Sequence, residues 1–169
     1  NEGTMPEILD GDLEILKKGI TDSLSISYYM STISHYGEES LTNINDVVIK
    51  KNPYLEMSEF GWTIDPIGLR ITLRQLYDRY EMPIYIVENG FGYDDQIVDG
   101  KIEDDYRIDY MKKHIEQMKL AVKEGVDCRG YLAWGPVDIL SSRAQMKKRY
   151  GMIYVNRDNH DLKDMKRIK

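Results

Sequence analysis

The chain has 169 residues, about one domain's worth, with 41% apolar and 31% charged side chains, against roughly 25% charged in an average soluble protein. No run of about 18 apolar residues is present to span a bilayer, and Asn1-Glu2-Gly3-Thr4-Met5-Pro6 has neither the basic start nor the apolar stretch of a signal peptide, so no membrane partner is expected. The net charge of −6 is uneven, since Arg143 to Lys169 holds nine Lys/Arg against three Asp; with only Tyr150 and Tyr154 interleaved, this reads as a solvated basic face, and no nucleic-acid partner is expected.

In chain order, Asp10 and Asp12 followed by Leu13-Glu14-Ile15-Leu16-Lys17-Lys18 read as a short helix. Leu24–Tyr29 is the first apolar, β-prone run. Residues 32–65 then form a long connection whose Glu38–Asn45 stretch is polar, and connections of that length in a compact domain are functional or disordered. Ile67–Tyr80 places Ile67, Ile71, Leu73 and Leu76 on one side and predicts a helix. Ile84–Val87 is a second strand. Tyr106–Glu124 predicts an amphipathic helix through Ile108, Met111, Ile115, Met118, Leu120 and Val122, with Gly125 as its stop. Gly130–Trp134 is a third strand. Strands alternating with helices imply the α/β class and a parallel sheet.

Each strand ends in polar or aromatic residues: Ser27-Tyr28-Tyr29, Glu88-Asn89-Gly90 and Trp134-Gly135-Pro136. Active sites of α/β barrels and open sheets form at the carboxyl ends of strands. In Pro83-Ile84-Tyr85-Ile86-Val87-Glu88-Asn89-Gly90 a carboxylate closes an apolar strand and Asn-Gly turns the chain. Alone this fits an ordinary strand terminus as well as a reactive carboxylate.

The neighbouring segments favour the second reading. The Glu88 segment resembles the nucleophile motif of family 1 β-glycosidases. Gly61-Trp62-Thr63-Ile64-Asp65-Pro66-Ile67-Gly68-Leu69-Arg70 is similar to the stretch that leads into the preceding helix of that family, and Ser25-Ile26-Ser27-Tyr28-Tyr29-Met30-Ser31 to its strand-six ending. The resemblance implies that Glu88 attacks the anomeric carbon and that the Tyr29 phenol keeps it oriented and ionised. Trp134-Gly135-Pro136-Val137-Asp138-Ile139-Leu140-Ser141, followed by Met146-Lys147-Lys148-Arg149-Tyr150-Gly151, resembles strand eight and its exit loop. There Trp134 is implied to stack on the sugar. Members acting on unphosphorylated sugars carry Glu where Ser141 stands; members acting on 6-phosphorylated sugars carry Ser, with Lys and Tyr seven and nine residues on, as Lys148 and Tyr150 are here. Hydroxyl, ammonium and phenol satisfy phosphate oxygens that a carboxylate repels. Arg149, between the two, is expected to point away. Ser142, where the phospho-galactosidase branch carries Trp, leans toward gluco-configured substrates.

The resemblance thus implies a 6-phospho-β-glucosidase, and a single partial domain, residues 1–169, corresponding to about three βα units at the C-terminal end of a TIM (β/α)8 barrel. Retaining glycosidases use two carboxyl groups about 5–5.5 Å apart. The family's acid/base glutamate lies in an Asn-Glu-Pro motif, and no Asn-Glu-Pro occurs in this chain. The chain alone is therefore expected to be inactive and to associate with a missing N-terminal barrel segment or with itself. The expected substrate is a phosphorylated disaccharide or aryl 6-phospho-β-glucoside. The rival readings are a non-catalytic phospho-sugar-binding half-barrel and an unphosphorylated β-glucosidase, against which Ser141 argues.

The other candidates stay structural. His35, His114 and His160 are too scattered for a metal site, with His114 on a helix among polar residues and His35 in the loop flanking the sugar site. No metal and no cofactor is expected, since no Walker or dinucleotide glycine loop occurs. The single cysteine, Cys128, rules out an internal disulfide, reads as a buried thiol, and suits a reducing, cytoplasmic setting.

Overall fold

The computed structural model describes residues 7–33, 52–142 and 144–157, so His35 and His160 lie outside the described residues. Six elements follow one another: α1 (Asp12–Lys18), β1 (Leu24–Ser27), α2 (Pro66–Tyr80), β2 (Ile84–Asn89), α3 (Asp105–Lys123) and β3 (Cys128–Ala133). The strands form an open parallel sheet in the order β1-β2-β3, as expected from alternating strands and helices. The core lies between this sheet and α2 and α3. It joins Leu69 and Leu73 of α2, Ile84 and Ile86 of β2, Ala121 of α3, Val126 just beyond it, and Tyr28 at the end of β1.

Local chemistry sets the helix ends. Asp65 caps α2 by accepting the Gly68 amide at 2.8 Å, and Pro66 occupies the first turn, where its missing N–H costs nothing. Gly125 ends α3 at φ 100°, with its own amide on Val122 and the Val126 amide on Ala121. This is the paired hydrogen-bond pattern of a left-handed glycine stop, and the two apolar residues that it brings together both enter the core.

Each long helix buries only part of the expected stripe, with Leu73 and Leu76 of α2 and Met118 of α3 at the core. In α2, Ile67 and Ile71 are half or more exposed, while Leu69 and Leu73 are fully buried. In α3, Ile108 and Val122 face outward, and the buried stripe is Arg107, Tyr110, His114 and Ala121. The reason is polar. Tyr110 reaches under the strand ends, and Arg107 anchors the loop after β2 through ion pairs of 2.7 Å with Asp95 and with Asp104.

His114, expected among polar residues, is instead fully buried between rings. Its centroid lies 3.9 Å from Tyr110 and 6.0 Å from Tyr28. Its Nδ1 is 2.7 Å from the Tyr110 carbonyl oxygen and donates to it, and its Nε2 has no hydrogen-bond partner among the described residues. Burial holds its proton affinity below the ordinary imidazole range. The unfolded chain therefore takes up this proton first, and stability falls as pH drops below about 6.5. Urea midpoints measured from pH 7 to pH 5 should show this loss, at most about 1.4 kcal/mol per pH unit. His114→Phe, which keeps a ring in the stack, should flatten the slope; parallel slopes for the two proteins would refute the assignment.

Candidate active site

The carboxyl ends of the strands carry residues that the sequence reading singles out, and β2 is irregular where it presents one of them. Ile26 pairs with Ile86, but the next residue, Ser27, pairs with Glu88, so Val87 is an extra residue in β2. In an unbroken strand Glu88 would share the face of Ile84 and Ile86 and enter the helix-side core. The bulge inverts the alternation. Asn89 falls on the buried helix side, and Glu88, partly exposed, on the other.

Asn89 fastens this arrangement. Its amide nitrogen donates to the Tyr28 carbonyl at 2.7 Å and to the Tyr110 hydroxyl at 3.2 Å, and its oxygen accepts from the Tyr131 hydroxyl at 2.7 Å. The Tyr110 hydroxyl in turn donates to the Tyr29 carbonyl at 2.9 Å. One buried side chain thus ties the end of β1, β3 and α3 to the residue next to Glu88, with its polar atoms satisfied in a dry setting.

Tyr28 and Tyr29 leave β1 in opposite directions. Tyr28 turns to the helices and donates to the Asp65 carbonyl at 2.7 Å. The Tyr29 hydroxyl donates to the Glu88 carboxylate at 2.9 Å. Burial, and then the bond to Glu88, raise the Tyr29 phenol well above its ordinary range, so it stays a donor wherever Glu88 is a carboxylate. Glu88 and Tyr29, paired by the sequence reading, therefore meet.

The segment after β3 folds back along the loop after β2. Tyr93 and Arg149 exchange two backbone hydrogen bonds of 2.9 Å, and Val137 bridges Ile153 in parallel. Arg149 points to Asp138, with its guanidinium 2.9 Å from the carboxylate and 4.2 Å from the Tyr154 ring centroid. The residues on either side of it project elsewhere. The Lys148 ammonium lies 3.2 Å from the Trp62 ring centroid and 5.5 Å from that of Tyr150, and Trp62 and Tyr150 are 6.2 Å apart between centroids. Burial pushes the Tyr150 phenol up to about 12. Lys148 and Tyr150 are thus brought together.

Ser141 and Trp134 take separate positions. Ser141 is buried in its own turn, where its hydroxyl accepts the Gln145 amide at 3.2 Å and Ala144 closes the turn at φ 55°. Trp134 follows β3 with its amide on the Asn89 carbonyl at 2.8 Å and its side chain about one-third exposed. A Cβ on Gly90 would fall 2.8 Å from the Trp134 carbonyl oxygen, so the chain at Trp134 can approach the end of β2 this closely only because residue 90 is glycine.

Three residues of this surface carry no role in the sequence reading. Trp62 lies between the two groups, with its ring 5.3 Å from Tyr29 and edge-on to it, and with Lys148 over its face. Phe60 flanks the same ammonium at 5.3 Å. Gly92 makes room for them, since a Cβ there would meet the Lys148 stem at 2.7 Å and the Tyr150 ring at 2.9 Å. Their signal was the glycine–aromatic spacing of Phe60-Gly61-Trp62 and Phe91-Gly92-Tyr93 beside strand ends.

Away from this surface the Cys128 thiol is half-buried, and burial pushes it up from its ordinary range, as befits a structural thiol. Among the described residues, no group of three or more His, Cys, Asp or Glu is placed to hold a metal ion, and no helix is long and apolar enough to cross a membrane.

Known proteins are similar to this chain in sequence and fold. The glycosyl hydrolase family 1 model matches residues 1–169. The aryl-phospho-β-D-glucosidase BglH of Bacillus subtilis is 49% identical over 167 residues, which cover 96% of this chain and 36% of the relative. A 6-phospho-β-glucosidase of Dickeya chrysanthemi is 50% identical over 84% of this chain and 31% of its own length. Among solved structures, the β-glucosidase of Thermotoga maritima in complex with noeuromycin is 30% identical, with a TM-score of 0.75 over 87% of this chain and 32% of that one. The chain thus spans about a third of the length of the curated relatives it matches, and its three-stranded open sheet is part of a barrel. With a family match along its whole length and the strand-end carboxylate held by a tyrosine, the chain belongs to glycosyl hydrolase family 1.

Proposed function

We propose that the complete enzyme containing this chain hydrolyses 6-phospho-β-glucosides with retention of configuration, and that this chain supplies the nucleophile and the phosphate-binding groups. The observation that carries the reading is the pairing of Glu88 with Tyr29 on one side of Trp62 and of Lys148 with Tyr150 on the other. It is supported by relatives whose names specify phospho-β-glucosidases.

In the proposed reaction Glu88 attacks the anomeric carbon as the bond to the leaving oxygen breaks and a proton donor protonates that oxygen. Water, deprotonated by the same group, then cleaves the glycosyl ester and restores Glu88. Tyr29 holds the attacking carboxylate in line, Trp134 packs on the sugar ring, and Ser141, Lys148 and Tyr150 take the 6-phosphate. The Ser141 hydroxyl leaves its turn amide or accepts from it while donating to a phosphate oxygen. The family's Asn-Glu-Pro motif does not occur in the chain, so the proton donor is assigned to the rest of the enzyme. In the sheet order β1-β2-β3 the two outer strands each have one paired edge, and the remaining barrel strands, or a second copy, would cover the other edges. A cytoplasmic setting fits phosphorylated sugars and a lone thiol.

The test is turnover of an aryl 6-phospho-β-glucoside by the chain alone and by the chain joined with the N-terminal part of a relative. Turnover should require the complement, should yield the β-anomer first, and should be far weaker with the unphosphorylated glucoside. Equal rates in both tubes would refute the half-site assignment, and a preference for the unphosphorylated glucoside would refute the phosphate assignment.

A further inference from the structure

We infer that Trp62 is a seat for Lys148: the indole holds the ammonium inside a three-ring box, and a sugar phosphate draws it off. The seat stands on geometry alone; its release by ligand rests on the phosphate-binding role proposed above.

Three observations converge on it. The ammonium is 3.2 Å from the Trp62 centroid but 5.3 Å from Phe60 and 5.5 Å from Tyr150, so one ring makes contact and two form walls. Indole is the strongest π partner for a cation, and the attraction grows as water is excluded. Lys148 is only 9% exposed, so most of its hydration is lost and the ring faces offset part of that loss. The stem is also constrained. Its Cε and Cγ pass 2.7 and 2.9 Å from where a Cβ on Gly92 would stand, so the chain at 92 helps aim the ammonium at the indole.

The seat is suited to exchange. A π face satisfies an ammonium less well than phosphate oxygens, which accept short charge-assisted hydrogen bonds. A neutral sugar offers nothing comparable and should leave the lysine docked. Trp62 also touches Tyr29, edge-on at 5.3 Å, and Tyr29 bonds Glu88. The ring that releases the lysine is therefore the ring against which the nucleophile's donor rests. Trp62 is a positioning residue.

The chain has two tryptophans, so indole 15N labelling of the full chain yields two N–H signals, assigned with Trp62→Phe and Trp134→Phe. Lys148→Met keeps the side-chain length and fills the box without charge; it should move the Trp62 signal and leave that of Trp134 in place. Lys148→Arg, whose guanidinium also stacks on rings, should hold the Trp62 signal near its original position. Glucose 6-phosphate should shift the Trp62 signal saturably toward its position in Lys148→Met, whereas glucose should not, and Lys148→Met itself should not respond. An unmoved Trp62 signal in Lys148→Met would overturn the seat. A Trp62 signal that moves in Lys148→Met but stays in place while the 31P line of glucose 6-phosphate broadens would support the seat and overturn its release, whereas a 31P line that does not broaden would overturn the phosphate-binding role as well.

Discussion

Replacing Asp138 with alanine is expected to cost the folded chain about 3–5 kcal/mol, the range for removing one partner of a buried ion pair. The Asp138 side chain is fully buried and that of Arg149 nearly so, and they lie 2.9 Å apart. The carboxylate does more than balance the charge. It also accepts the Gly151 amide at 2.9 Å and the Val155 amide at 3.1 Å. Alanine leaves the guanidinium with the Val155 and Arg157 carbonyls, each at 2.9 Å, but with no carboxylate partner among the described residues, and takes an acceptor away from two backbone amides. Gly151 lies directly against the backbone of Val137 and Asp138, where a Cβ would collide with it. Urea unfolding of the chain measures the loss, and less than about 1 kcal/mol would contradict the estimate. Asp138→Asn, which keeps an acceptor for an amide but not the charge, should fall between. The pair Asp138→Leu with Arg149→Met should recover the ion-pair part of the loss but not the part owed to the two amide hydrogen bonds.

That sensitivity bears on the site, because the segment fastened by Asp138 carries Ser141, Lys148 and Tyr150. Arg149 is the pivot. Its backbone joins Tyr93 in the loop after β2, while its side chain grips Asp138 in the loop after β3. A basic run that looks like solvated surface is thus split by alternation. Arg149 turns inward to a structural carboxylate, whereas Lys148 and Tyr150 turn to Trp62.

Much of the framework was legible because it rests on local rules. Asp65-Pro66 opens α2 and Gly125 closes α3 through caps that any chain would use, and three apolar runs became three parallel strands. The helix faces were less legible. Leu73 and Leu76 of the expected stripe lie at the core, but Ile67 and Ile71 do not and Leu69, outside that stripe, is fully buried, because only the sheet decides where the covered face begins. In α3 the buried stripe contains Arg107 and His114, which a hydrophobic template places in solvent, although Asp95 and the aromatic stack await them. At the site, the pairing of Glu88 with Tyr29 could be read from resemblance, but its physical cause could not. Period-two alternation sends Glu88 into the core with Ile86, and the extra residue at Val87 that reverses this is visible only in the register. Trp62 was equally hidden. Its identity is plain, yet nothing local announces that a lysine from the far end of the chain will lie on it.

In the complemented enzyme, Glu88→Gln should lower turnover of an aryl 6-phospho-β-glucoside by about 10⁴–10⁶-fold, the scale on which nucleophile removal acts. Glutamine keeps the shape, and its carbonyl oxygen still accepts from Tyr29, now 2.9 Å from the carboxylate. It cannot form the glycosyl ester, however, so the loss belongs to chemistry and should appear in kcat with little change in KM or in the unfolding midpoint. Tyr29→Phe separates attack from orientation. It removes a hydrogen bond to a charged acceptor, worth about 1.5–3 kcal/mol, which corresponds to roughly 10–100-fold in rate. The order of the two effects matters more than either size. A carboxylate held by a donor fails completely when its own charge is lost and partially when the donor is lost, whereas a carboxylate that only supports the strand end would show similar, small effects for both. Comparable rates for Glu88→Gln and the unsubstituted enzyme would remove Glu88 from the reaction and leave its bond to Tyr29 as structure alone.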